Sequence, residues 1–250
     1  MKNATLAPIL GLAALLLAGT SAAQDVPSLL KTADQFRSGG ANSAEKLQVE
    51  TLVTQHAADG SVEKERRYTV FVQSKRQSLV LMQSPAEKGQ KVLMLGDDFW
   101  LLMPGSQRPM RITPMQKLLG DASTGDIATL SWAEDYSGQL IGEARCGERP
   151  CLHLSLQALR SSVSYQRIEL WLDKARHEPI KADLYVQSDK LAKQARFLMD
   201  AGHKQVNEMV LQDQLSHKKE TRIRYLSRTP RTVPETWLNP MFLARNPSLE

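Results

Sequence analysis

Cysteine is nearly absent from this 250-residue chain, which has two, Cys146 and Cys151. The five histidines, His56, His153, His177, His203 and His217, are scattered, so no zinc ligand set forms and no metal or other cofactor is expected. Missing too are a Gly-x-Ser-x-Gly elbow, a phosphate-binding glycine loop and a His-Glu-x-x-His pair, so the expectation is a protein that is not an enzyme. Asp97-Asp98 is a conceivable carboxylate pair. Adjacent residues in a strand or turn point apart, however, and turn chemistry already accounts for them. Charge of one sign is also lacking: 32 basic against 27 acidic residues leave +5, too weak and too dispersed for a nucleic-acid partner. No internal repeat or low-complexity linker divides the chain. The apolar run Ile9–Ala18 falls short of the roughly 20 residues that span a bilayer.

That run is better read with its flanks. Lys2 precedes it, and Gly-Thr-Ser-Ala-Ala follows, ending at Ala23. This is the pattern of a secretory signal, residues 1–23, cleaved after Ala23. The mature protein, 24–250, is then expected to be one soluble periplasmic domain, unlipidated because no cysteine lies near the cut.

Beyond the signal, Asp25 and Pro27 open a helix through about Arg37, with Leu29, Leu30, Ala33 and Phe36 on one side and Gly39-Gly40 at its end. It is expected to plug one end of a sheet. From Glu45 the period becomes two: Leu47, Val49 and Val53, a turn at Asp59-Gly60, then Tyr68, Val70 and Val72. Further strands are expected at Leu79–Met82, Val92–Leu95, Gln139–Arg145, Leu152–Ala158, Tyr165–Asp173, Ile180–Gln187, Ala195–Met199, Val206–Leu211 and Thr221–Leu226. Long strands with short links make an antiparallel meander. Cys146 and Cys151 frame one hairpin mouth. In an exported chain they read as a disulfide, since a redox pair would have Cys-x-x-Cys spacing. Lys218, Lys219, Arg222 and Arg224 gather late. A solvated outer face explains them, and the sharper reading is a surface for anionic lipid or an acidic partner. Val233–Ala244, with Trp237, Met241, Phe242 and Leu243, is expected to be a helix broken near Pro240 that docks the C-terminus on the sheet.

The chain is organised around 96–138. Gly96-Asp97-Asp98 makes a tight turn between Val92–Leu95 and Phe99–Met103. The second run does not alternate, so both faces of that strand need cover. Arg108–Ile112 is expected to return as a strand. Two short helices follow, Met115–Leu119 and Ile127–Leu130, too short to stand without a surface beneath them. A strand that wants cover and helices that want a surface imply a sheet with an inner lid. Lipid chains are therefore expected between the sheet around Phe99, Trp100, Leu102 and Met103 and a lid carrying Met115, Leu118, Leu119 and Ile127. Methionine suits such an adaptable surface.

The stretch FWLLMPGSQRPMRI, followed by a link and SWAEDYSG, resembles the outer-membrane lipoprotein-sorting (LolA-like) family. The similarity runs from about Leu29 to Leu243, and Gly-Asp-Ala-Ser-Thr-Gly-Asp replaces the more aromatic link of many relatives. The resemblance implies an α+β, mainly antiparallel fold: a strongly curved sheet, an incomplete β-barrel, with short helices over its concave apolar face. It implies a periplasmic carrier that shields acyl chains of a lipoprotein or free lipid on the way to the outer membrane. An inner-membrane transporter and an outer-membrane acceptor would be its partners. Two other classes remain open: a lipid-sensing regulatory subunit of a membrane complex, and an exported lipid hydrolase.

Overall fold

The computed structural model describes residues 25–40, 46–128, 131–214 and 219–249. The expected signal segment, Leu130 and Lys218 lie outside these residues.

The chain opens with helix α1 (Val26–Ser38), which carries proline in its first turn. It ends at Gly39, whose φ of 115° only glycine adopts readily, and the Gly40 N–H returns to the Gln35 carbonyl at 2.8 Å. Six strands follow as a meander: β1 (Leu47–His56), β2 (Val62–Ser74), β3 (Gln77–Met82), β4 (Lys91–Leu95), β5 (Asp98–Leu102) and β6 (Met110–Ile112). A small hairpin, β7 (Lys117–Leu119) and β8 (Ala122–Ser123), leads into the one-turn helices α2 (Thr124–Ile127) and α3 (Trp132–Asp135). A second meander runs through β9 (Tyr136–Cys146), β10 (Arg149–Ala158), β11 (Arg167–Asp173), β12 (Pro179–Tyr185), β13 (Leu191–Met199), β14 (Val206–Asp213) and β15 (Glu220–Pro230). A 3-10 turn at Glu235–Leu238 and helix α4 (Pro240–Leu243) end the chain, the break falling at Asn239-Pro240.

The two meanders join where β1 pairs with both β2 and β15, giving one antiparallel thirteen-stranded sheet in the order β6-β5-β4-β3-β2-β1-β15-β14-β13-β12-β11-β10-β9. It does not close: β6 and β9 are its edges. Each strand adds right-handed twist, so a sheet this wide curls. Phe99 from one wing and Leu154 from the other accordingly belong to a single buried apolar cluster on the concave side. The fold is an open, strongly curved half-barrel of mainly antiparallel strands, as expected.

Period-two patterning decides which side chains turn inward. Leu152, Leu154 and Leu156 of β10 and Ile168, Leu170 and Leu172 of β11 are buried there, while Trp171, Glu169 and Lys181 face outward. Helix α1 adds Leu29, Leu30 and Ala33 to the concave cluster and packs on α3, β9 and β14.

Strands β2–β5 are apolar on both faces, and a third layer covers their outer side. Phe71, Leu79, Leu93 and Leu102 form a separate cluster with Val233, Trp237 and Leu243 of the C-terminal segment. Trp237 stands edge-on to Phe71, with ring centroids 5.5 Å apart. The C-terminus docks on the sheet as expected, on its convex side.

Cys146 and Cys151 form a disulfide across the β9–β10 hairpin mouth, with Cα atoms 6.0 Å apart. Asp97 lies between Arg76 and Arg160, and Asp98 pairs with Arg111 at 3.0 Å. The Asp97–Arg160 contact, 3.1 Å, ties the β4–β5 turn to the β10–β11 loop across the mouth of the half-barrel.

Candidate functional site

The site is the concave interior and the segment that closes it, residues 113–128. Here two expectations need correction. Lys117–Leu119 is a strand of the β7–β8 hairpin, not part of a helix. Bonding across the hairpin, with the Thr124 N–H on the Gln116 carbonyl at 2.8 Å, satisfies its backbone locally. The next helix starts at Thr124, three residues earlier than expected, because the backbone N–H and hydroxyl of Ser123 both donate to Asp126 Oδ2, at 2.9 and 2.7 Å.

This lid sits against the sheet through few but specific contacts. The Asp121 N–H donates to Thr221 Oγ1 at 2.9 Å, and the Ser78 hydroxyl donates to the Ala128 carbonyl at 3.1 Å. Two glycines allow the close approach. A Cβ at Gly120 would lie 2.5 Å from Thr221 Oγ1, and one at Gly125 would lie 2.3 Å from Ser164 Oγ.

A buried ion pair also joins the lid to the sheet. Lys193 Nζ on β13 lies 2.7 Å from Asp126 Oδ2 on the lid, and the two side chains are 3% and 5% exposed. The Tyr165 hydroxyl donates to the other carboxylate oxygen at 2.8 Å. Burial alone would push the Asp126 carboxyl up, but Lys193 and the Ser123 hydrogen bonds outweigh it and hold it below the ordinary range. Burial and the Asp126 charge together push the Tyr165 phenol well above its ordinary value.

A second anchor holds α3. Asp34 of α1 accepts from the Ser131 hydroxyl at 2.6 Å and from the N–H groups of Trp132 and Ala133 at 3.1 and 2.9 Å. Trp132 then packs edge-on against Phe197, while the Arg37 guanidinium lies 4.0 Å above its ring.

The expected lipid-site residues fall on two sides of the sheet. Phe99, Leu119 and Ile127 belong to the concave cluster, with Met115 and Leu118 half-buried against it. Trp100 and Leu102 face the convex side under the C-terminal segment, where Arg111 also stacks over Trp100 at 4.7 Å. Met103 follows the end of β5, half-buried. Alternation puts Phe99 and Leu101 on one face and Trp100 and Leu102 on the other, so these four cannot share one cavity with the lid. The concave wall includes instead residues such as Val80, Val92 and Leu170.

Lys193, Tyr165 and Asp126 went unread as a group. The signal for Lys193 is its phase: it alternates with Ala195 and Phe197, both inward and buried, so a lysine occupies a core position. Of the basic surface residues, Arg222 and Arg224 share Glu208 at 3.3 and 3.0 Å, and Lys219 pairs with Glu63 at 2.7 Å.

A void at the mouth of the interior, lined by Arg76, Met94, Phe99 and Arg160, measures about 10 Å³, room for about one water. A larger hollow of about 410 Å³ lies outside, along the edge strand, among Ser137, Gln139, Ile141 and Ser155. Among the described residues no group of three or more His, Cys, Asp or Glu side chains is placed to hold a metal ion. Nor is any helix there long and apolar enough to cross a membrane.

A curved sheet with one apolar concavity under short covering segments defines a LolA-like half-barrel, and solved structures share it. A LolA superfamily protein from Nitrosomonas europaea superposes with a TM-score of 0.75 at 28% identity, over 85% of this chain and 96% of that one. A putative outer membrane lipoprotein-sorting protein domain from Vibrio parahaemolyticus gives 0.68 at 16% identity, over 88% and 98%. A DUF1329 family protein from Desulfovibrio piger gives 0.67 at 20%, over 85% and 95%. The chain belongs to the family whose model, described as "Uncharacterized protein", matches residues 74–245. No curated protein matches it.

Proposed function

We propose that the protein is a periplasmic carrier of lipid or lipoprotein acyl chains, which it holds in the concave interior and releases without bond chemistry. The observation that carries this reading is the lid. Its strands are three and two residues long and its helix four, too little structure to be stable except against the apolar wall it covers. Acyl chains can take the place of such a segment, one apolar surface replacing another, with the buried Lys193–Asp126 pair as the polar contact that must be broken. The LolA superfamily likeness at 28% identity supports the same reading.

The energetic scale is consistent with transit. Each buried methylene contributes about 0.8 kcal/mol, so ten give about 8 kcal/mol before opposing costs. That corresponds to roughly micromolar binding, tight enough to hold and loose enough to hand on. Direction then comes from a downstream acceptor of greater affinity, with an inner-membrane donor upstream. Mass spectrometry of organic extracts from protein purified out of the periplasm tests the carrier reading. Stoichiometric acyl lipid is the expected result, and protein free of lipid, or bound lipid that is hydrolysed on standing, would contradict it.

A further inference from the structure

Lys193 and Asp126 point to the kind of lipid that fits. A buried ion pair in an apolar interior is a poor source of stability, because desolvating both charges costs as much as their attraction returns. Breaking such a pair from one side is a different matter, for it strands the remaining charge in a low-dielectric site. When the lid moves off the wall, Asp126 leaves with it, and Ser123 goes too, as both belong to the lid. Lys193 on β13 and Tyr165 on the loop before β11 remain with the sheet.

These two remaining groups already hold a carboxylate. Lys193 Nζ takes one oxygen of Asp126 at 2.7 Å, and the Tyr165 hydroxyl takes the other at 2.8 Å. The ammonium also lies 5.6 Å from the Tyr165 ring centroid, so both donors converge on one point. They form a preformed two-point carboxylate site, charge-assisted on one side, set within apolar walls. In the closed state the lid fills that site with its own side chain.

We infer that the cargo is an acidic amphiphile whose carboxylate displaces Asp126 from Lys193 and Tyr165 while its acyl chain displaces the lid. This rests on the carrier reading and specifies its ligand. A neutral lipid would leave Lys193 unpaired on opening, whereas a carboxylate restores both bonds. Selectivity for the head group therefore comes from the unpaired state that a neutral cargo leaves behind. A free carboxylate without a chain cannot displace the lid.

Displacement of a fluorescent acyl probe by oleate, methyl oleate and acetate tests this. In the wild-type protein, oleate should bind at least about tenfold more tightly than methyl oleate, the scale of one charge-assisted hydrogen bond. Acetate should not compete. Lys193→Met should bring the oleate to methyl oleate ratio to near one, since the carboxylate then has no ammonium to meet. Should Lys193→Met fail to fold, Tyr165→Phe should still narrow the ratio, and Asp126→Asn, which removes the competing charge from the closed state alone, should tighten both lipids and leave their ratio unchanged. A wild-type ratio near one overturns this inference and leaves the carrier reading standing. Binding of neither lipid overturns both, and competition by acetate overturns the requirement for a chain.

Discussion

Asp34 on the first helix accepts a 2.6 Å hydrogen bond from the Ser131 hydroxyl, ninety-seven positions further along the chain. One carboxylate thus fastens α1 to the start of α3 and satisfies two of that helix's free N–H groups. Asp34→Ala leaves those donors without their acceptor. The expected cost is about 1–2 kcal/mol, read as a melting temperature lower by roughly 2–8 °C. A melt within 1 °C of wild type would show the contact to be dispensable.

The convex layer should matter for stability and not for cargo. Trp237 is buried against Phe71 on the side of the sheet away from the lid. Trp237→Ala is expected to cost about 3–5 kcal/mol, with affinity for an acyl probe unchanged in the protein that stays folded. Loss of affinity without loss of stability would place the binding surface on the wrong face.

The Cys146–Cys151 bridge closes a very short loop, so it constrains the unfolded chain little. Reduction of the wild-type protein should lower stability by about 2 kcal/mol and leave probe binding intact, as a denaturation curve with and without reductant would show. Collapse of binding on reduction would mean that the hairpin mouth shapes the cavity.

Acid should loosen the far end of the second meander. Glu178 is fully buried and receives Arg149 at 3.1 Å, Arg176 at 2.9 Å and His203 at 2.9 Å. Burial would raise its carboxyl, yet the hydrogen bonds from Arg176 and His203 prevail and hold it below the ordinary value of 4.5. A depressed pKa contributes stability that is present above 4.5 and lost as pH falls through the lower folded value. Glu178→Gln should lose about 2 kcal/mol at pH 7 and lose proportionately less on acidification. An unchanged slope of stability against pH below 4.5 would contradict this assignment.

How much of this was legible in the sequence differs by element. The strands could be read because inward residues recur at every second position, as in Leu152, Leu154 and Leu156. The break at Pro240 and the turn at Gly96 could be read because proline and glycine fix local geometry, Gly96 adopting a φ of 61°. Phe99–Leu102 could be read as needing cover on both faces, but alternation alone does not say which face is concave. Trp100 and Leu102 were therefore assigned to the cavity when they lie beneath Val233 and Trp237. The β7–β8 hairpin was missed because its bonds to the sheet, such as the Asp121 N–H to Thr221, join residues a hundred positions apart. Lys193 was missed because β13 was expected to begin at Ala195, which left the inward lysine outside the strand.

The central claim is that the lid leaves the wall when an acyl chain enters. Hydrogen exchange of the backbone amides of Asp121, Thr124, Gly125 and Ala128, with and without saturating oleate, tests it most directly. In the closed protein these amides are bonded to Thr221 Oγ1 and to the carbonyls of Gln116, Pro114 and Thr124. Oleate should speed their exchange at least tenfold, while the amides of Leu154 and Leu170 in the sheet stay as protected as before. Lid amides that exchange at the same rate in the presence of stoichiometrically bound oleate would contradict the account.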